Sequence, residues 1–141
     1  MAVDTYDAAN VKITMGPSEL TGFADGDFLN IEKESDDYTD ESGADGRVTR
    51  SKSNDRRATV TFTCTQGSPA NSLLNAVRLT GLASGVAVPF SAADLNGDTL
   101  ISGAASWVKK PPATGYAKES GTREWTLMVV TDVENYGGIL L

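Results

Sequence analysis

Apolar and polar residues alternate along four stretches of this chain, the period of a strand with one buried face and one wet face. Ala58, Val60, Phe62 and Cys64 interleave with Thr59, Thr61 and Thr63, and Trp125, Leu127 and Val129 with Glu124, Thr126 and Met128. Val86, Val88 and Phe90 make a third set. Ile101, Gly103, Ala105 and Trp107 make a fourth, whose small members mark a place where something approaches closely. β-Branched and aromatic residues fill these runs, as pleated, half-buried strands prefer. One stretch has a different period. Ala70, Leu73, Leu74 and Val77 fall at i, i+3, i+4 and i+7 and predict a single helix packed on a sheet by one stripe. Ser68 suits its N-cap, Pro69 its first position, and Gly81 the residue past its end.

Turn residues separate these runs. Asn96-Gly97 predicts a type I′ hairpin between a strand near 86–93 and one near 99–108. Asp25-Gly26 is expected to turn 19–24 into 27–34, and Gly16-Pro17 to turn the chain one strand earlier. Lys109-Lys110-Pro111-Pro112 ends a strand, because proline cannot donate to a ladder. With no internal repeat and no linker, the 141 residues read as a single domain, all-β with one flanking helix, in an antiparallel β-sandwich or flattened barrel.

Composition narrows the function. No apolar run is long enough to span a membrane, and Met1 to Asp7 lacks the features of a signal peptide. Cys64 is the only cysteine and histidine is absent. The commonest general base, the commonest metal ligand and every Ser-His or Cys-His pair are therefore missing. The formal net charge of −7 has the wrong sign for a protein that grips phosphates. The expectation is a protein that is not an enzyme and carries no cofactor.

Segment 35–57 is not explained by a core. Asp36, Asp37, Asp40, Glu41 and Asp45 lie between Ser35 and Gly46 without a base; Arg47, Arg50, Lys52, Arg56 and Arg57 follow with Asp55 as the one acid. An acidic arm of about −5 thus adjoins a basic arm of about +4. One reading is a solvated loop whose arms satisfy each other. The other is a protruding hairpin whose charges contact a second copy, since opposite charges on one arm suit head-to-tail association into rings or filaments.

Other candidates fall away. Asp94-Leu95-Asn96-Gly97-Asp98 has the glycine too early for a calcium loop, and Ala105 stands where a bidentate glutamate belongs. Arg56-Arg57 and Lys109-Lys110 read as exposed strand ends. Trp107 and Trp125 share the parity of core faces, and Cys64 shares that of Phe62, so all three read as packing residues.

With these residues in place, the sequence resembles a family of phage proteins that build the inner tube of long, contractile tails. The resemblance rests on Leu20-Thr21-Gly22-Phe23-Ala24-Asp25-Gly26 running into Asn30-Ile31-Glu32, on Gly43-Ala44-Asp45-Gly46-Arg47-Val48, and on Ala58-Thr59-Val60-Thr61 followed by Ser68-Pro69. Asp94-Leu95-Asn96-Gly97, Trp107-Val108-Lys109-Lys110-Pro111-Pro112 and Gly121-Thr122-Arg123-Glu124-Trp125 complete it. It implies six-membered rings stacked into a tube, through which DNA passes without being bound. The fold would be similar to the type VI secretion tube protein. Partners would be other copies of the chain, tail sheath, baseplate and tail-terminator proteins, but no membrane. The location would be the virion, after assembly in the host cytoplasm. The 35–57 arm would make subunit and ring contacts, and Thr59, Thr61 and Thr63 form a candidate lumen face. The alternatives are the tube of a secretion or injection device and, from another class, a monomeric β-sandwich binding module.

Overall fold

Nine consecutive residues, Arg57–Thr65, form a strand one place in from the edge of the sheet in a computed structural model of the chain, which describes residues 3, 5–97 and 99–137. Met1, Ala2, Asp4 and Asp98, which entered the readings of the N-terminus and of the calcium-like loop, lie outside the described residues. The strands are β1 (Val11–Met15), β2 (Ser18–Leu20), β3 (Leu29–Lys33), β4 (Tyr38–Ser42), β5 (Val48–Lys52), β6 (Arg57–Thr65), β7 (Val88–Asp94), β8 (Leu100–Lys110), β9 (Thr122–Val130) and β10 (Val133–Asn135), with one helix, α1 (Pro69–Ser84). Among the described residues, eight strands make one antiparallel sheet in the order β2-β1-β7-β8-β9-β6-β3, with β10 on β8, and β4 and β5 pair only with each other. The architecture is all-β with one helix, as expected.

Ala58, Val60, Phe62 and Cys64 are fully buried, and across the ladder Val60 faces Leu127 and Phe62 faces Trp125. The helix lies over this face with Ala70 and Leu74 buried, and Leu73 and Val77 packed against the same core. Its start is as expected, with Ser68 Oγ accepting from Ala70 N–H and Pro69 at the first position. Asn71 then serves the interior, because its Oδ1 accepts from the Trp125 indole N–H at 2.9 Å. Cys64 is a buried, unbridged thiol whose pKa burial pushes up.

Five expectations are corrected. The helix runs through Gly81 and stops at Gly85, whose φ of 71° lies in the left-handed region that closes helices. Val86 precedes β7 and is exposed. Trp107 is 40% exposed on the outer face. Between Val88↔Ser106 and Phe90↔Gly103, β8 carries one residue more than β7, and such a bulge reverses which side chains point inward. Ser106 takes the core position instead, its hydroxyl donating to the Val88 carbonyl at 2.6 Å. The β7–β8 hairpin exists, but Asn96 has no positive φ, so the turn is not type I′. Asn96 is buried and its side chain holds the N-terminal segment, accepting from Asp7 N–H at 3.0 Å and donating to Asp7 O at 2.8 Å.

The fifth correction concerns Asp25-Gly26. This turn does not fold one strand onto the next: β2 and β3 sit at opposite edges of the sheet. After β2 the chain crosses to β6, where Phe23 pairs with Cys64 and Leu29 with Phe62. Residues 24–28 therefore bulge out opposite Thr63 alone. Gly16-Pro17, by contrast, joins β1 to β2 as a two-residue turn, and β8 ends at Lys110, just before Pro111.

Candidate assembly interface

The charge-split segment is a hairpin, and every residue of β4 and β5 is exposed. Its turn is closed by Gly43 and Arg47, with Gly46 N–H donating to Gly43 O at 3.0 Å and Asp45 Oδ1 accepting from Arg47 N–H at 3.1 Å. Gly46 has a φ of 85°, as the last loop residue of a three-residue hairpin connection requires.

Pairing changes how the two charged arms relate. Tyr38 faces Lys52, Asp40 faces Arg50 and Ser42 faces Val48. The acids of β4 thus lie one strand spacing, about 4.8 Å, from the bases of β5, and are not set apart along the arm. Alternation puts Tyr38, Asp40, Val48, Arg50 and Lys52 on one face and Thr39, Glu41, Thr49 and Ser51 on the other. The first face carries two cations, one acid and two exposed apolar side chains, Tyr38 and Val48. These two were missed in the sequence, although the Val48-x-Arg50-x-Lys52 alternation is readable there.

The base of the hairpin is tied down within the chain. Asp55 accepts from Arg57 through both carboxylate oxygens, at 3.0 and 2.9 Å, and from Ser35 Oγ at 2.7 Å. The Arg57 guanidinium and then the Ser35 hydroxyl hold the Asp55 carboxyl well below the usual range. Lys33 is hydrogen-bonded to Asp37 and lies 3.4 Å from Glu134 on β10. Asp37 O also accepts from Ser53 N–H at 2.8 Å. Of the ten candidate contact residues, Asp37 and Arg57 are engaged in this base, whereas Asp36, Asp40, Glu41, Arg47, Arg50, Lys52 and Arg56 are exposed. Asp45 is exposed as well but closes the turn.

Thr59, Thr61 and Thr63 are half-buried on the face of β6 opposite the core. Thr61 stands between Asn30 and Thr126, Thr59 between Glu32 and Met128, and Thr63 beside Glu124. The Thr59 hydroxyl donates to Glu34. Arg57, at the start of the strand, is the cation on this face of β3, β6 and β9, and Asp55 neutralises it.

A family model matches residues 5–137, nearly the whole sequence. It defines a structural component of a phage tail. The family is the bacteriophage PhiTE tail tube protein, and the chain belongs to it. Among solved structures, the cryo-EM structure of the anti-feeding prophage cap, described as a tube-terminating cap, aligns with a TM-score of 0.55 at 15% identity, over 92% of this chain and 90% of that one. This likeness is one of fold. No curated protein matches the chain.

Proposed function

We propose that this chain is the repeating wall subunit of a tail tube: copies close into six-membered rings, the rings stack, and DNA is delivered through the channel. The observation that carries the reading is the outer face of β3, β6 and β9, on which Thr59, Thr61, Thr63, Thr126 and Asn30 lie among Glu32 and Glu124. With its one arginine, Arg57, paired to Asp55, this face of mainly hydroxyls and carboxylates gives a polyanion little to hold, because affinity for DNA comes from neutralised phosphates. We assign this face to the lumen and the free-standing β4–β5 hairpin to contacts between copies. Sheath, baseplate and terminator proteins are the further partners, and assembly takes place in the host cytoplasm. Electron microscopy of the purified protein tests this: long hollow tubes with six subunits per ring are expected, and a strictly monomeric protein at every salt and concentration overturns it.

A second reading, a terminating cap rather than a wall, is favoured by the fold likeness to the anti-feeding prophage cap. The same images separate the two, since a cap gives single rings that do not elongate.

A further inference from the structure

The bulge at 24–28 opens a cleft of about 790 Å³ between the N-terminal segment, the bulge and the β7–β8 turn, within the range of ligand-binding clefts. Its floor is aromatic. Phe23 and Phe28, from the two ends of the bulge, stack with centroids 4.3 Å apart and planes within 8°, and Tyr6 stands at the wall. Its rim is acidic. Asp25, Asp27 and Asp94 line it, and no lysine or arginine is among the described lining residues.

The hairpin offers the complementary surface. Val48 is 67% exposed on a strand that pairs with nothing but β4, and Arg50 shares its face while Arg47 precedes it at the turn. An apolar side chain flanked by two cations fits an aromatic floor flanked by carboxylates. The arginines gain both ion pairing with the rim and stacking on aromatic faces. We propose that the β4–β5 hairpin of one copy seats in this cleft of another, with Val48 on the Phe23–Phe28 pair and Arg47 and Arg50 against Asp25, Asp27 and Asp94. The proposal rests on the tube reading and names the socket for the arm. Because hairpin and cleft are different surfaces of one chain, the contact is head-to-tail and propagates.

The test uses the full-length chain in three forms: R47E/R50E, D25K/D27K and the combined quadruple variant. All four positions are exposed, and circular dichroism establishes that each form is folded. Sedimentation against protein concentration measures assembly. Each double variant is expected to raise the concentration needed for assembly by roughly tenfold or more, and the quadruple variant to restore it. Mixing the two double variants gives a second check that needs no quadruple variant. Wild-type arm then meets wild-type cleft, reversed arm meets reversed cleft, and co-assembly is expected.

Normal assembly of D25K/D27K alone would overturn the socket while leaving the tube reading intact, with the arm seated elsewhere. Failure of both the quadruple variant and the mixture would do the same. A wild-type protein that never assembles would remove the tube reading and the socket together.

Discussion

Arg50 lies on the ring of Tyr38, its guanidinium carbon 4.3 Å from the centroid, although Asp40 is the residue directly opposite it in the hairpin. The cation is held by a neighbour that does not neutralise it, so the arm presents its positive charge together with an apolar plate. Exposed ion pairs contribute only about 0–1 kcal/mol, and a stacked arginine keeps its donors free for another partner.

Replacing Arg47, Arg50 and Lys52 together with glutamate should therefore reduce polymer yield by about tenfold or more without unfolding the monomer. Every residue of β4 and β5 is exposed, so no core contact is lost. Pelleting assays and circular dichroism of the same preparation check this, and an unfolded variant would show that the arm stabilises its own domain.

Gly103→Ala should destabilise the fold even though alanine usually suits a strand better than glycine. A Cβ at position 103 would overlap the carbonyl oxygen of Val130, so backbone must move. A loss of about 1–3 kcal/mol is expected, seen as a lower urea midpoint with an unchanged slope.

If the threonine face lines the channel, assembled tubes should show no measurable affinity for double-stranded DNA at about 150 mM salt, where non-specific binders have Kd near 10⁻⁴–10⁻⁶ M. Thr61→Lys would add a cation to every subunit in the middle of that face. Phage carrying it should assemble tails and eject DNA slowly; normal ejection would place this face away from the lumen.

The Asp55 carboxyl should titrate below the free aspartate value of about 3.9, because Arg57 and Ser35 bind its charged form. With the folded pKa depressed, its contribution to stability is complete above the unfolded pKa. That contribution is lost as pH falls through the lower folded value. Carbon NMR of the side-chain carboxyl measures the midpoint directly. Arg57→Gln should move the midpoint back up, and an unchanged midpoint would mean that the pair does not form in solution.

Uninterrupted periodicity made β6 legible in the sequence, because every second residue from Ala58 to Cys64 goes to the core. β9 was legible up to Leu127, after which Met128 is buried although it shares the face of Glu124 and Thr126. β8 was misread beyond Gly103 for a physical reason: the bulge there changes parity, and the residue it turns inward, Ser106, carries no hydrophobic signal. Gly81 looked like a helix end because glycine is common there, yet glycine is tolerated inside a last turn, and Gly85 supplied the left-handed residue. The charge split of the arm was visible, as was its freedom from the core. Its base was not, since Ser35 and Asp55 are 20 residues apart and Lys33 and Glu134 are 101 apart. Membership of the tail tube family was legible from the order of the short motifs, which no single strand or turn revealed.

The crossing from β2 to β6 also has a mechanical side. Leu20 belongs to one margin of the sheet and Phe23 to the other, and two residues join them. Three peptide steps reach at most about 11 Å, so the two margins are leashed by covalent bonds whose length cannot grow. Ser68 fastens the leash, its hydroxyl donating to Thr21 O at 2.6 Å while Thr65 N–H donates to Gly22 O at 2.9 Å. Gly22 has a φ of 75° and no room for a Cβ beside Ser68. The opening of the sheet is thus limited by a strap that can break only with the chain itself. A tensile load across the sheet would reach the buckle at Ser68, and with it the start of the helix, before it could flatten the sheet.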